Sequence, residues 1–171
     1  MTRLRTATPS DASSLAALSI EVWIGTYLRQ GISGQFADYV LSTFTRQRFL
    51  DLLHAPDEQL IVSQNRSGID GYIRLTRNQG NPVTAAAGCE ISTLYVQPRH
   101  QGTGIGRALL DAGLAQARRW EQETAWLTTN SENTAAIGFY LAQGFERIGT
   151  TAFMLGNDAY PNDVFNYQLA P

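Results

Sequence analysis

The stretch Glu90-Ile-Ser-Thr-Leu-Tyr-Val-Gln-Pro-Arg-His-Gln-Gly-Thr-Gly-Ile-Gly-Arg107 decides how the chain folds. Cys89 to Val96 reads as a strand, and Pro98 ends it because proline cannot donate to a ladder. Gly102, Gly104 and Gly106 punctuate a turn. Gly104 to Trp120 then reads as a helix, with Leu110, Leu114 and Ala117 on one stripe. A helix start carries unpaired N–H groups and a partial positive charge. Glycines let a phosphate approach that backbone closely, so the turn reads as a pyrophosphate cradle. Arg99, His100 and Arg107 add positive charge at its rim. A tight turn that needs glycine only for positive φ is the alternative. The dinucleotide fingerprint G-x-G-x-x-G is not met, because counting from Gly102 or Gly104 puts Arg107 or Leu109 at the third glycine.

Outward from this stretch the elements alternate in type. Residues 3–7 read as a short strand. Thr8-Pro9-Ser10-Asp11 reads as a helix start, followed by Leu15, Leu18 and Val22 at helical spacing. Gly31 to Gly34 interrupts, and a second helix is expected over 35–53, with Phe36, Val40 and Phe44 recurring. Residues 60–63 and 69–75 form an expected hairpin around the turn Asn65-Arg66-Ser67-Gly68. A loop runs from Asn78 to Gly88. Beyond the central helix come a strand at 124–129, a short helix at 133–143 and the stop Gly144. Strands at 145–154 and 163–169 close the chain, joined by a loop over 156–162. This order predicts one α/β domain, residues 1–171, with a mixed, mostly antiparallel sheet.

Gln101-x-x-Gly104-x-Gly106 resembles the Q/R-x-x-G-x-G/A motif of the GNAT superfamily of N-acetyltransferases. Asn133-Thr-Ala-Ala-Ile-Gly-Phe-Tyr140-Leu-Ala-Gln-Gly144-Phe145 resembles the later N-x-x-A-x-x-F-Y-x-x-x-G-F segment of the same family. The dense match covers 90–145, and the helices at 9–53 fall in the family's variable part. The resemblance implies helices on both sheet faces and a sheet splayed between the strands at 89–96 and 124–129. It implies acetyl-CoA as co-substrate, its pantetheine arm lying in that gap. Backbone groups of Leu94, Tyr95 and Val96 would pair with the arm as an added strand does. Gln101, Gly102, Thr103, Gly104, Ile105, Gly106 and Arg107 would hold the pyrophosphate. Asn133 would meet the arm or a phosphate through its amide, and Phe139 would pack near the cofactor or serve as plain core.

The implied reaction moves an acetyl group from the thioester to a primary amine. A protonated alkylamine has no lone pair to attack with, so a base must take its proton. Glu90 is the expected base, directly or through water. It lies fourteen residues before Gly104, the offset of the strand glutamate in members that use one. A half-buried strand carboxyl is expected to hold its proton more tightly than usual. Its alternative is a structural carboxylate. Tyr140 matches the family tyrosine that protonates the departing sulfur; its alternative is a core aromatic. Trp23, Tyr27, Phe36 and Tyr160 are the expected acceptor contacts, an aromatic wall suited to an organic cation. The expected acceptor is a small amine or a peptide or protein N-terminus. An acyl-CoA-binding module without transfer activity, an enzyme using another acyl-CoA, and a nucleotide-binding protein stay open.

Composition narrows these classes. All 13 basic residues are Arg, so chemistry that needs a lysine of the protein is excluded, including a lysine Schiff base. Any basic contact to a phosphate must come from Arg or His. The net charge of −2 gives no footprint for nucleic acid. Cys89 is the only cysteine and is expected as buried filler; with two histidines, His54 and His100, it supports no metal site. No membrane span or signal segment is evident, so a cytoplasmic protein is expected. The family resemblance adds a homodimer as an open alternative to a monomer.

Overall fold

The computed structural model describes residues 3–169. Strand β1 (Arg3–Thr6) leads to a single 3₁₀ turn at Pro9–Asp11 and into helix α1 (Ala12–Tyr27). The Asp11 carboxylate holds this entry together. It accepts from Arg5 Nη1 and Nη2 at 2.7 and 2.9 Å and from the Thr8 N–H at 2.8 Å. The Arg5 guanidinium thereby keeps the Asp11 carboxyl below its ordinary range, against the opposing effect of burial.

The helix expected over 35–53 is two helices, α2 (Gly34–Thr43) and α3 (Arg46–His54). Thr45 divides them. Its backbone is extended, with φ −108° and ψ 153°, and its Oγ1 accepts from the Arg48 N–H at 3.1 Å. A threonine that caps the next helix cannot also continue the previous one. Phe36, Val40 and Phe44 all precede the break and no glycine or proline marks it, which is why the pattern reads as one helix.

Strands β2 (Glu58–Gln64), β3 (Ile69–Gly80) and β4 (Ala87–Val96) follow. Both β3 and β4 run further than expected, so the loop of 78–88 shrinks to six residues, 81–86. Asn81 closes it: its Oδ1 accepts from the N–H groups of Val83 and Thr84, and its backbone N–H donates to Ala86 at 2.9 Å. After a second 3₁₀ turn, Pro98–His100, come α4 (Ile105–Arg119), β5 (Thr124–Asn130), α5 (Thr134–Ala142), β6 (Glu146–Leu155) and β7 (Asp158–Gln168). The loop expected over 156–162 is a tight turn at Gly156-Asn157, and β7 passes through Pro161. Pro161 is tolerated because its carbonyl accepts from the Ser131 N–H at 3.0 Å. Its ring nitrogen points to that same side, away from β6, and costs no bond in the β6 ladder.

The seven strands form one sheet in the order β1-β2-β3-β4-β5-β7-β6. It is mixed and mostly antiparallel. β4 and β5 run parallel, in register at Cys89↔Ala125 and Glu90↔Trp126. Thr76 Oγ1 of β3 lies 2.7 Å from Ser92 Oγ of β4.

Two compact units emerge. One runs to Arg74 and resumes at Thr93–Gly113; the other takes Leu75–Ser92 and Leu114 onward. In the first, Leu15, Leu18 and Val22 of α1 pack with Phe49 and Leu52 of α3, Leu60 and Val62 of β2, and Tyr72. In the second, Tyr140, Phe145, Phe165 and Tyr167 form a run of ring contacts at 5.0–6.3 Å. Among the described residues no helix is long and apolar enough to cross a membrane.

Candidate active site

In the first unit the decisive feature is the passage from β4 into α4. Gly102 and Gly104 take φ of 76° and 90°, the left-handed region that other residues rarely adopt. A Cβ built on either would meet nothing within 4 Å, so this backbone is open to a ligand. The Ala108 N–H donates to the Gly104 carbonyl at 3.0 Å, which starts the α4 ladder. The N–H groups of Ile105, Gly106 and Arg107 precede that first bond and have no partner within the helix. Open glycine backbone followed by helix N–H groups fits a pyrophosphate.

Side chains fix the turn. Gln101 Nε2 donates to the Val96 carbonyl at 3.1 Å, tying the turn to the end of β4. Thr103 Oγ1 donates to the His100 carbonyl at 2.6 Å. Arg107 is 71% exposed and only 4.0 Å from Asp111, so its charge stays at the surface. Close packing seats α4 on the sheet. At Gly71 of β3 a Cβ would lie 3.0 Å from the Tyr95 carbonyl oxygen and 3.1 Å from Leu109 Cδ1.

Leu94 and Tyr95 are half-buried and Val96 is buried. Behind them runs a directed hydroxyl chain that sequence reading missed. Ser19 Oγ donates to the Leu15 carbonyl at 2.7 Å, so it accepts from Tyr72 Oη, also at 2.7 Å. Thr93 of β4 lines the same small depression as Tyr72, and burial pushes the Tyr72 phenol up to about 12. A tyrosine in an apolar strand signals core; only the structure supplies its partners.

Three of the four aromatic residues expected at the acceptor, Trp23, Tyr27 and Phe36, form a packed group with Tyr39. Trp23 lies 5.0 Å from Tyr27, 5.6 Å from Phe36 and 5.2 Å from Tyr39, ring centroid to centroid. Trp23 is buried and Tyr27 is 40% exposed, so the group presents an edge rather than an open cage. Burial raises the phenols of Tyr27 and Tyr39.

In the second unit, Glu90 is half-buried on β4, opposite Trp126 of β5. Trp126 is fixed by its indole N–H donating to the Gln79 carbonyl at 3.1 Å. Cys89 is fully buried, and burial, then the Glu90 charge, push its thiol up to about 12. Asn133 caps α5, its Oδ1 accepting from the Ala136 N–H at 3.2 Å. Its amide oxygen therefore serves the helix, and the NH₂ end is what a ligand would meet. Tyr140, 8% exposed, stands between Phe139 at 5.2 Å and the rings of Phe145 and Phe165 at 5.6 and 6.3 Å. Tyr160 lies on β7 rather than in a loop and pairs with Phe153 of β6 at 6.4 Å. Among the described residues no group of three His, Cys, Asp or Glu is placed to hold a metal.

The fold and these motifs define an acyl-transfer enzyme class, and comparison with known proteins agrees. The sequence profile described as "Acetyltransferase (GNAT) family" matches residues 26–145. An uncharacterized N-acetyltransferase of Mycobacterium tuberculosis is 31% identical over 147 residues, covering 86% of this chain and 90% of that one. The N-alpha-acetyltransferase RimI of the same organism is 27% identical over 142 residues, 83% and 77% of the two chains. The paia N-acetyltransferase of Thermoplasma acidophilum, solved in complex with coenzyme A, superposes with a TM-score of 0.82 at 17% identity, over 98% and 99% of the chains. yncA of Salmonella typhimurium, solved with its cofactor acetyl-CoA, gives 0.69 at 17% identity over 100% and 95%. The chain belongs to the GNAT acetyltransferase family and is an acetyl-CoA-dependent N-acetyltransferase.

Proposed function

We propose that the chain, residues 1–171 acting as one domain, acetylates the primary amine of a small molecule or of a peptide or protein N-terminus. The open, left-handed turn at Gly102 and Gly104, running into the first N–H groups of α4, carries the reading. Acetyl-CoA supplies the thioester. The N–H groups of residues 102–107 and the Gln101-braced turn hold its pyrophosphate. The main chain of Leu94, Tyr95 and Val96 receives the pantetheine arm, and an N–H there polarises the thioester carbonyl. The Asn133 amide and the Phe139 ring complete the cofactor contacts.

Glu90 takes a proton from the ammonium, directly or through water, and frees the nitrogen lone pair. The nitrogen bonds to the acetyl carbon as the carbon–sulfur bond breaks, and its surplus proton passes to solvent. Tyr140 gives its phenolic proton to the leaving sulfur and regains one from solvent. Trp23, Tyr27, Phe36 and Tyr160 are the acceptor contacts. The likeness to RimI along most of the chain supports a peptide or protein N-terminus; the aromatic edge supports a small organic amine equally well. A single fully buried thiol and dependence on acetyl-CoA support a cytoplasmic location.

The test is thiol release from acetyl-CoA against a panel of small amines and short peptides. One class should raise turnover well above acetyl-CoA hydrolysis. Tyr140→Phe and Glu90→Gln should each lower kcat by roughly 10²–10⁴-fold. Unchanged turnover in Tyr140→Phe removes the acid assignment. An unchanged pH–rate profile in Glu90→Gln removes the base.

A further inference from the structure

Asp70, in the apolar run Ile69-Asp-Gly-Tyr-Ile73 of β3, is 2% exposed. Its Oδ1 accepts from Ser63 Oγ at 2.6 Å and its Oδ2 from Asn65 Nδ2 at 3.1 Å. Its carbonyl accepts from the Gln97 N–H at 2.8 Å. A carboxylate offers about four acceptor positions, so these two neutral side-chain donors leave capacity. The group facing it is His100, in the 3₁₀ turn just before Gln101. His100 Nδ1 is buried and makes no hydrogen bond. It stands 3.6 Å from Asp70 Oδ2, beyond hydrogen-bonding reach.

Two buried polar groups are thus aimed at each other across a gap of less than one ångström too much. Leaving a buried donor unmade is costly, so closing the gap is favourable for both groups. The ring has room to move. It walls a shallow depression of about 550 Å³ together with Asn65, Ser67 and Gln97. The His100 backbone is bound at both sides, its N–H to the Gln97 carbonyl at 2.8 Å and its carbonyl to Thr103 Oγ1. The main chain of His100 is thus part of the same hydrogen-bonded turn as Gln101–Gly104, so a hold on the His100 side chain is a hold on that turn.

We propose that Asp70 and His100 are positioning residues for the phosphate turn. Asp70 is the fixed anchor on β3. His100, through Nδ1–H, clasps the turn to that anchor when the cofactor's pyrophosphate settles on residues 102–107. The inference rests on the cofactor reading above and adds two residues outside its contact set.

Substitutions at His100 test it, because that side chain is 38% exposed and its loss leaves the buried donors of Ser63 and Asn65 satisfied. His100→Asn keeps a donor on Cγ, where Nδ1 sits. His100→Gln moves the donor out to the Nε2 position, and His100→Phe keeps the ring without a donor. The probe is CoA, titrated by calorimetry, with the melting temperature measured in parallel. His100→Phe and His100→Gln should weaken CoA about tenfold at an unchanged melting temperature, and His100→Asn should stay within about twofold of wild type. If all three bind CoA as wild type does, or His100→Asn falls as far as His100→Phe, the clasp is wrong and the cofactor reading stands. Should His100→Phe not fold, the Asn and Gln pair decides alone. Wild-type protein that does not bind CoA overturns the cofactor reading itself.

Discussion

Cys89 carries the one thiol of the chain, at 0% exposure, with its pKa pushed up to about 12. The thiolate is the reactive form, so burial and protonation both silence it. In the folded protein it should not react with a thiol-specific dye at pH 8, and should react stoichiometrically after denaturation. Reaction of the native protein within minutes would mean that β4 opens far more readily than its packing suggests. Cys89 was legible as buried filler because a lone cysteine in an apolar strand has few other uses. Asp70 was not legible. An acid in an apolar strand signals a need for partners, but Ser63 and Asn65 come to it from across the hairpin and His100 from the turn after β4.

Among the elements, the entry to α1 makes the clearest case. Arg5, Thr8 and Asp11 form a charge-assisted bracket between β1 and the helix. The Asp11 carboxyl titrates below its ordinary value. Its stabilisation is therefore complete above the unfolded carboxylate range, near 3.9, and is lost as pH falls through the lower folded value. Asp11→Asn should cost roughly 1 kcal/mol at pH 7, since Arg5 is partly solvated. In urea titrations the gap to wild type should stay constant from pH 8 to 5 and narrow below pH 4. A gap that widens in acid would contradict the bracket. This element could be read in advance because its residues lie within seven positions. The division of α2 from α3 could not. Phe36, Val40 and Phe44 keep helical spacing up to it, no glycine or proline marks it, and only the Thr45 cap geometry reveals the break. Pro161 within β7 misled for a related reason. A proline in a strand depends on which side its nitrogen faces, and that is set by Ser131, thirty residues earlier.

At the level of the whole molecule, the charge balance shapes cofactor binding. The chain carries −2 overall and has no lysine. A polyanionic cofactor must therefore be held by backbone N–H groups and by a few arginines against an unhelpful net field. Arg99 and Arg107 are exposed beside the phosphate turn, so their contribution is screened by salt. Arg99→Ala and Arg107→Ala should each weaken CoA binding and flatten its salt dependence. CoA affinity indifferent to both changes would leave the backbone as the sole phosphate ligand. The glycine turn and the second motif were readable because each is local. The aromatic group around Trp23 was readable as residue types, but its closed packing was not, since Tyr27, Phe36 and Tyr39 come from two helices and the Gly31–Gly34 interruption between them does not tell how the helices cross.

That aromatic group also makes the chain its own optical probe. Trp23 is the only tryptophan in the unit that runs to Arg74 and resumes at Thr93–Gly113, whereas Trp120 and Trp126 both belong to the other. Trp23 sits among tyrosines at 5.0 and 5.2 Å, close enough for efficient energy transfer, and Trp126 is hydrogen-bonded and nearly sealed from water. Replacing Trp23 with Phe leaves emission from one unit alone, and replacing the other two leaves emission from its counterpart. Each half of the enzyme thus carries a separate spectroscopic voice, through which ligand binding and unfolding can be followed without attaching a dye.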